Sequence, residues 1–165
     1  MAWEIRQLLL VIHIFLAIVW VGGVLFTGWG VFPAAQMLTY NIQQQFFLAL
    51  IKWTHWLFIG VGSFVILTGI LLGTVAGPIN TWNDVWNTSY GNTWFTTLIT
   101  SLATLMWGTF VAYRFAIKLF TNVDLWKDAA SGNKKPLTNA LIRLIAIESI
   151  EVAGFIVLIF LMVSL

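Results

Sequence analysis

Residues 7–31 read QLLLVIHIFLAIVWVGGVLFTGWGV and contain no Asp, Glu, Lys or Arg. A helix needs about 20 apolar residues to cross a hydrocarbon core roughly 30 Å thick, so this stretch is long enough to span a bilayer. Three further apolar runs follow at 50–76, 94–118 and 140–164. The sequence therefore predicts an all-α fold, a four-helix transmembrane bundle with up-down topology.

The composition fits that interpretation and excludes several others. Of the 165 residues, 60% are hydrophobic and 8% are charged, which is more apolar surface than a soluble domain of this length can bury. We expect one membrane domain over residues 1–165, with the lipid bilayer as its main partner. The formal charge of +2 suggests no nucleic-acid partner, and the absence of cysteine excludes disulfides, thiolate metal sites and c-type haem attachment. The first run is too long for a signal peptide and is interpreted as a mature helix.

The positive charges indicate the direction of insertion. Seven of the eight Lys and Arg residues lie on one side of the predicted bundle, namely Lys52, Arg114, Lys118, Lys127, Lys134, Lys135 and Arg143. Only Arg6 lies on the other side. The positive-inside rule then predicts that the N- and C-termini and the 78–93 loop are outside the cell. The other two connections are predicted in the cytoplasm, which makes this a multi-pass protein of the cell (inner or plasma) membrane.

Tryptophans are predicted to mark the two membrane interfaces, where their amphipathic rings are favoured. The outer set is Trp3, Trp82, Trp86 and Trp94, and the inner set is Trp29, Trp53, Trp56 and Trp126. Pro33 is expected to kink or end helix one, and Asn41 is a candidate cap for a helix two that begins in the cytoplasm. Residues 121–136 are typical of an ordinary solvated loop.

His13 is the leading candidate for a cofactor ligand, because ionisable side chains inside a membrane are costly and usually functional. Trp20 follows seven residues later and so shares one face of helix one with His13. Gly22 and Gly23 allow a helix or a planar ligand to approach closely. The functional interpretation is a neutral imidazole that ligates haem b or copper. The alternative is a core histidine hydrogen-bonded to a Ser or Thr of a neighbouring helix.

A haem at His13 needs either a second ligand or an open position. Met106 on helix three is one candidate, and a second copy of His13 in a homodimer is another. His55 is not expected to share the haem, because a rise of 1.5 Å per residue places it about 20 Å from His13 along the membrane normal. His55 is interpreted either as a metal ligand or proton carrier, or as an interfacial residue. It begins a stripe that predicts a packing seam on helix two, with Gly62, Gly69 and Gly73.

Glu148 and Glu151 are three residues apart and therefore neighbours on helix four. Two adjacent carboxylates in lipid are not expected to be ionised together without a cation. One interpretation is a proton or metal-ion path from the cytoplasmic face. The other is a structural ion pair of Glu148 with Arg114 or Lys52. Together with the two histidines, these carboxylates complete the set of candidate metal ligands, and no motif predicts a catalytic residue.

Four segments carry a family resemblance: VIHIFLAIVWVGGVLF (11–26), FVILTGILLG (64–73), VAYRFAIKLF (111–120) and ALIRLIAIESIEVAGFIVLI (140–159). In that order they resemble the His-Trp-Gly-Gly helix, the Thr-Gly helix, the arginine-bearing end and the Arg-plus-Glu helix of the copper-resistance D (CopD) membrane domain. That family is a four-helix module linked to copper uptake and tolerance. The resemblance implies a copper role for His13 and a structural or ion-related role for Glu148.

Helix one also resembles that of the haem-binding membrane protoporphyrinogen oxidase family (HemJ). The third helix of that family carries a Lys and a closing Tyr-His, where this chain has Ala112-Tyr113-Arg114. The sequence thus predicts a CopD-like membrane protein that binds copper or haem b at His13, for copper handling or transmembrane electron transfer rather than enzyme catalysis. The competing hypothesis is a cofactor-free accessory subunit of a larger membrane complex or homo-oligomer. An enzyme acting on porphyrin is a third.

Overall fold

Four long helices form the protein, and the structure, a computed structural model, describes residues 2–165. Helix one comprises Ala2–Phe26, a π-helical turn at Thr27–Val31, and Phe32–Ala35; helix two is Tyr40–Gly73; helix three comprises Ser89–Met106, a π-helical turn at Trp107–Ala112, and Tyr113–Thr121; helix four is Lys135–Val163. No strand occurs among the described residues. Each helix is long and apolar enough to cross a membrane. The predicted all-α four-helix bundle is confirmed, and the chain is a multi-pass membrane protein.

Neighbouring helices run antiparallel. His13 of helix one contacts Thr68 of helix two, whereas Gly23, further along helix one, faces Phe58, which lies earlier on helix two. The same reversal relates helix two to helix three and helix three to helix four. We call the face with both chain ends the terminal side. The opposite face, which carries most of the Lys and Arg residues, is called the basic side.

Helix two begins at Tyr40, nearly three turns before the apolar run that starts at residue 50, as the sequence predicted, but it is not capped by Asn41. Its N-cap position is Thr39, which makes no side-chain capping bond. The Gln-rich first turns are held by tertiary contacts instead, because Gln43 and Gln44 are buried. Gln44 Nε2 donates to the backbone oxygen of Phe120 at 2.9 Å and thereby ties helix two to the end of helix three.

The 121–136 connection is not an ordinary solvated loop, and that prediction was wrong. Residues Val123–Ala130 form a short helix that packs beneath the bundle on the basic side. Trp126 is only 2% exposed, so it belongs to the protein core rather than to an interfacial belt. Its ring packs against Phe120, and its Nε1 donates to the backbone oxygen of Leu119 at 3.2 Å. The buried helix is not recognised from the sequence because it is short, only its inward face is apolar, and polar residues occupy the rest.

A short helix, Trp82–Asn87, lies on the terminal side. Its first turn is closed by a capping box, in which Asp84 accepts hydrogen bonds from the backbone N–H groups of Thr81 and Asn80, at 2.7 and 3.0 Å. These bonds hold the pKa of the Asp84 carboxyl below its usual range. The helix therefore fixes the connection between helices two and three without contributing a charge to the bundle interior.

Six of the eight tryptophans predicted for the interfaces are exposed on the outside of the bundle, as a belt requires: Trp3, Trp29, Trp53, Trp56, Trp82 and Trp86. Trp94 instead turns inward. Its indole lies directly on Gly73, and its Nε1 donates to the backbone oxygen of Gly69 at 3.2 Å. Trp94 therefore helps to hold helix three against helix two.

Pro33, which was predicted to kink or end helix one, lies two residues before the helix end. The wider π-helical turn precedes it, with the N–H of Phe32 donating to the oxygen of Thr27. Because proline lacks an N–H, it cannot supply the usual bond to a carbonyl four residues back, and a π-helical turn relieves that mismatch. Helix one then ends at Ala35.

Candidate functional site: the His13 cavity and the glutamate cavity

The glycine stripe of helix two is a seam that receives aromatic rings, and the packing-seam prediction is confirmed. A Cβ atom at Gly62 would lie 3.2 Å from the indole of Trp20. A Cβ atom at Gly69 would lie 3.3 Å from Cε1 of His13. Small residues let helix backbones approach closely in a membrane, so this seam allows both side chains of helix one to lie flat on helix two.

One nitrogen of His13 is occupied by helix two. His13 Nδ1 lies 2.8 Å from Oγ1 of Thr68. The Thr68 hydroxyl has a single proton, and it lies 2.8 Å from the backbone oxygen of Phe64 and 3.0 Å from that of Val65. Because the hydroxyl donates to its own helix, it accepts from His13. The hydrogen-bond network thus assigns the proton to Nδ1 and the lone pair to Nε2.

His13 also lines a large cavity on the terminal half of the bundle. Nε2 has no hydrogen-bond partner among residues 2–165. The cavity has a volume of about 760 Å³ and lies between all four helices; we call it the His13 cavity. Its lining is mostly apolar, with Arg6 and Tyr90 among the few polar residues. Small-molecule and cofactor sites have volumes of roughly 300–1,000 Å³, so this cavity is of cofactor size.

Trp20 lines this cavity at the end away from the chain termini. It is 2% exposed, and its ring packs edge-on against Phe155 with centroids 5.2 Å apart. Its Nε1 is buried without a hydrogen-bond partner. Gly22 lines the same cavity with open space above its Cα, whereas Gly23 packs against the ring of Phe58. Of the predicted cofactor residues, His13, Trp20 and Gly22 therefore come together, and Gly23 serves helix packing.

The structure does not bring Met106 to His13. Met106 is 57% exposed on the outside of helix three and lines neither cavity described here. Met162 of helix four lines the His13 cavity instead. Starting from the contact between Trp20 and Phe155, seven residues toward the termini lead to His13 on one helix and to Met162 on the other. Both steps rise about 10 Å, so the two side chains lie at the same level.

His55 lies far from His13. Thr68, which contacts His13, is thirteen residues beyond His55 on the same helix (68 − 55), a rise of about 20 Å. The imidazole of His55 stacks on Tyr113 of helix three, with ring centroids 3.5 Å apart and planes at 13°. The two histidines therefore belong to different sites, at the separation that the sequence predicted.

A smaller cavity of about 90 Å³ lies on the basic half of the bundle, and both glutamates line it together with His55 and Tyr113; we call it the glutamate cavity. Glu151 is 8% exposed. Neither glutamate has a hydrogen bond or an ion pair to another described residue. The predicted ion pair of Glu148 with Arg114 or Lys52 is therefore not formed. The Arg114 guanidinium lies over the ring of Phe110 instead, 5.9 Å from its centroid.

The π-helical turn of helix three creates the place for Glu151. A Cβ atom at Gly108 would lie 2.7 Å from each carboxylate oxygen of Glu151, so the carboxylate rests directly on this glycine. The neighbouring Trp107 fixes the helix pair, because its Nε1 donates to the backbone oxygen of Ile147 at 2.9 Å. Such turns are frequent at functional sites in helical proteins.

The four predicted metal ligands are divided between the two cavities. Within residues 2–165, no group of three or more His, Cys, Asp or Glu side chains is placed to hold a metal ion. Thr68 and Met162 were missed at the sequence level. The sequence could have indicated Thr68, since it is a polar residue beside the seam position Gly69. No sequence feature indicated Met162, because its position relative to helix one depends on tertiary packing.

No protein-family model, curated protein or solved structure matches the chain.

Proposed function

We propose that this protein binds one b-type haem in the His13 cavity and transfers electrons within the membrane, with His13 Nε2 as an axial ligand. The observation that carries the proposal is the hydrogen bonding of the two ring nitrogens of His13. Its Nδ1 bonds to Thr68, its Nε2 has no hydrogen-bond partner among residues 2–165, and the residue lines a cavity of about 760 Å³. Histidines that ligate metals almost always donate their other ring N–H to a fixed acceptor.

The lining favours haem over a bare copper ion. Haem presents a large apolar surface, and the cavity supplies apolar walls, an open face at Gly22 and a floor at Trp20. Copper would need several donor atoms at one point, whereas His13 and Met162 are the histidine and methionine that line this cavity. Copper handling, as the CopD resemblance implies, is the second form of the proposal.

Met162 is the proposed second axial ligand, in place of Met106. It lies at the level of His13 on the antiparallel helix four, and it lines the same cavity. Arg6 lines the terminal end of this cavity and would pair with the carboxylates of a bound porphyrin. The bound haem would supply one-electron chemistry. The chain supplies axial ligation, exclusion of water and a low-dielectric surrounding.

The proposal also covers the membrane in which the protein lies and the side of the bundle that faces the cytoplasm. The basic side would face the cytoplasm of an inner or plasma membrane, because it carries seven of the eight Lys and Arg residues. The His13 cavity would then lie in the outer half of the bilayer. A partner that delivers or accepts electrons would approach from outside or from within the lipid, as a subunit of a larger membrane complex or a second copy of the chain.

The test is an absorption spectrum of the protein purified in detergent, before and after dithionite, with a copper determination on the same sample. We expect a Soret band that shifts on reduction, about one haem per chain and no stoichiometric copper. Stoichiometric copper without that band would replace haem by copper. Absence of both, with a co-purifying partner and no uptake of added haem, would favour a cofactor-free accessory subunit and contradict the proposal.

Replacing Met162→Leu tests the second ligand. The apolar leucine keeps the volume of the wall but cannot coordinate iron, so haem is retained with an open position. We expect a lower midpoint potential, because methionine ligation raises it, and rapid binding of carbon monoxide to the reduced form. Met106→Leu is the matched control and leaves both properties unchanged. If the wild-type reduced protein already binds carbon monoxide rapidly, Met162 is not a ligand.

A further inference from the structure

The glutamate cavity holds acidic groups for which the protein provides no counter-charge. Glu151 is more than nine-tenths buried, and neither its carboxylate nor that of Glu148 is paired within residues 2–165. Burial of an unpaired ionised carboxylate costs several kcal/mol, and a second negative charge three residues away adds to that cost. Some positively charged species must therefore bind where these two side chains meet.

No Lys or Arg side chain among residues 2–165 takes that position. The groups that face the cavity are Trp20 and Thr27 of helix one, Thr54 and His55 of helix two, Thr109 and Tyr113 of helix three, and the two glutamates of helix four. Lys52, Arg114 and Arg143 are exposed on the basic half and do not line it. His55 is the one basic side chain in this lining, and it stacks on Tyr113 rather than bonding to a carboxylate.

Two of the threonine hydroxyls that line the cavity do not donate to the carboxylates. The Thr27 hydroxyl donates to the oxygen of Gly23 at 2.8 Å, and the Thr54 hydroxyl donates to that of Leu50 at 2.9 Å. Their protons are thus used within their own helices. The indole N–H of Trp20, which is 2% exposed, has no acceptor. A cavity of about 90 Å³ has room for a few water molecules, and water donates to a carboxylate.

We infer that the glutamate cavity is a hydrated proton-binding site, in which Glu148 and Glu151 hold one proton between them and exchange it with the basic side past His55 and Tyr113. In the binding step a hydronium ion gives its proton to one carboxylate oxygen. One O–H bond forms, one breaks, and the charge of the pair changes from −2 to −1 without electron transfer. A metal ion fits less well, because the described residues place no third His, Cys, Asp or Glu beside the pair.

The site is independent of any cofactor at His13, although Trp20 lines both cavities. Gly108 lies within the π-helical turn of helix three, at the level of this site. Gly108 is the residue on which the Glu151 carboxylate rests, and any larger residue there would displace it. We therefore regard the Trp107–Ala112 turn as part of the proton site.

Infrared difference spectroscopy tests the inference directly, because a neutral carboxylic acid has a carbonyl stretching band that a carboxylate lacks. The full-length protein in detergent would be titrated from acidic to alkaline pH, in H₂O and in D₂O. We expect one neutral carboxyl group per chain at neutral pH, with a band that shifts in D₂O because water reaches the site. The double variant Glu148→Gln and Glu151→Gln loses that band.

The exposed residue Asp128 gives the matched control, because Asp128→Asn removes a carboxylate from the basic side and leaves the band unchanged. Circular dichroism and size-exclusion chromatography establish that each variant is folded. If the folded wild type shows no neutral carboxyl band at neutral pH, both glutamates are ionised and the inference is wrong. A thermal shift on adding Na⁺, K⁺ or Mg²⁺ would then identify a cation site in its place.

Gly108→Ala provides a second variant that changes no ionisable group. Its methyl group would displace the Glu151 carboxylate, so the pH midpoint of the carbonyl band is expected to change. Gly28→Ala is the matched control, since Gly28 lies in the π-helical turn of helix one with no atom within 4 Å of an added Cβ. An unchanged midpoint in Gly108→Ala, with the band present, would show that Glu151 does not hold the proton.

Discussion

His13→Ala is expected to abolish stoichiometric haem binding, with loss of the Soret band from a protein that remains folded. The reason is that His13 is the histidine that lines the 760 Å³ cavity, and its removal would leave iron without a strong protein ligand. The measurement is the ratio of Soret to protein absorbance after purification under identical haem supply. Added imidazole is expected to restore part of the band, because the substitution leaves a space of the same shape.

His55→Ala is the matched control for that experiment. It removes the other histidine of the chain, which stacks on Tyr113 in the glutamate cavity about 20 Å away. We expect its haem content and spectrum to equal those of the wild type. Loss of the band in His55→Ala but not in His13→Ala would place the haem on the basic half and would overturn the proposed function.

Thr68→Val is expected to weaken haem binding by about 10–100-fold, which is the usual cost of removing a group that orients a metal-ligating histidine. The substitution preserves the volume of the side chain and removes the oxygen that lies 2.8 Å from His13 Nδ1. Without that acceptor the imidazole can rotate or change tautomer, and the lone pair of Nε2 is no longer held toward the cavity. Haem titration into the apo form gives the affinity.

Thr68→Ser keeps a hydroxyl at the same position and is expected to restore most of the affinity. Thr74→Val controls for the loss of a backbone hydrogen bond, because the Thr74 hydroxyl, at the C-cap of the same helix, donates to the oxygen of Ile70 at 2.8 Å but does not contact His13. A Thr68→Val affinity equal to that of the wild type would mean that Thr68 does not orient the ligand, even if His13 binds the iron.

The sequence was informative wherever a local property decides the outcome. Hydropathy over a single run decides whether a helix enters the bilayer, so the number and type of the long helices followed directly. A lone histidine in such a run is costly wherever it points, so His13 stood out as well. The two interpretations of His13, a cofactor ligand and a core histidine bonded to a Ser or Thr, do not exclude each other. A ligating imidazole also needs a hydrogen bond such as the one to Thr68.

The sequence was less informative wherever a helix end is held by tertiary contacts. Helix two begins at Tyr40 because Gln44 bonds to Phe120, and residues 123–130 are helical because Trp126 finds a pocket in the bundle. Polar residues in both segments hid the buried face. A short stretch of sequence does not show which partner surface will cover it.

The sequence by itself determined how many helices cross the membrane, and the positive charges predict in which direction they do so. Only the tertiary structure decided which residues share a cavity: Met162 rather than Met106 with His13, and the two glutamates without Arg114. Each residue of an α-helix rotates the side-chain direction by about 100° around the helix axis. The extra residue in a π-helical turn therefore changes the direction of every side chain beyond it. Tertiary packing sets these turns, so hydropathy does not show how the helices align with one another or which side chains point inward. That alignment is what creates the two cavities.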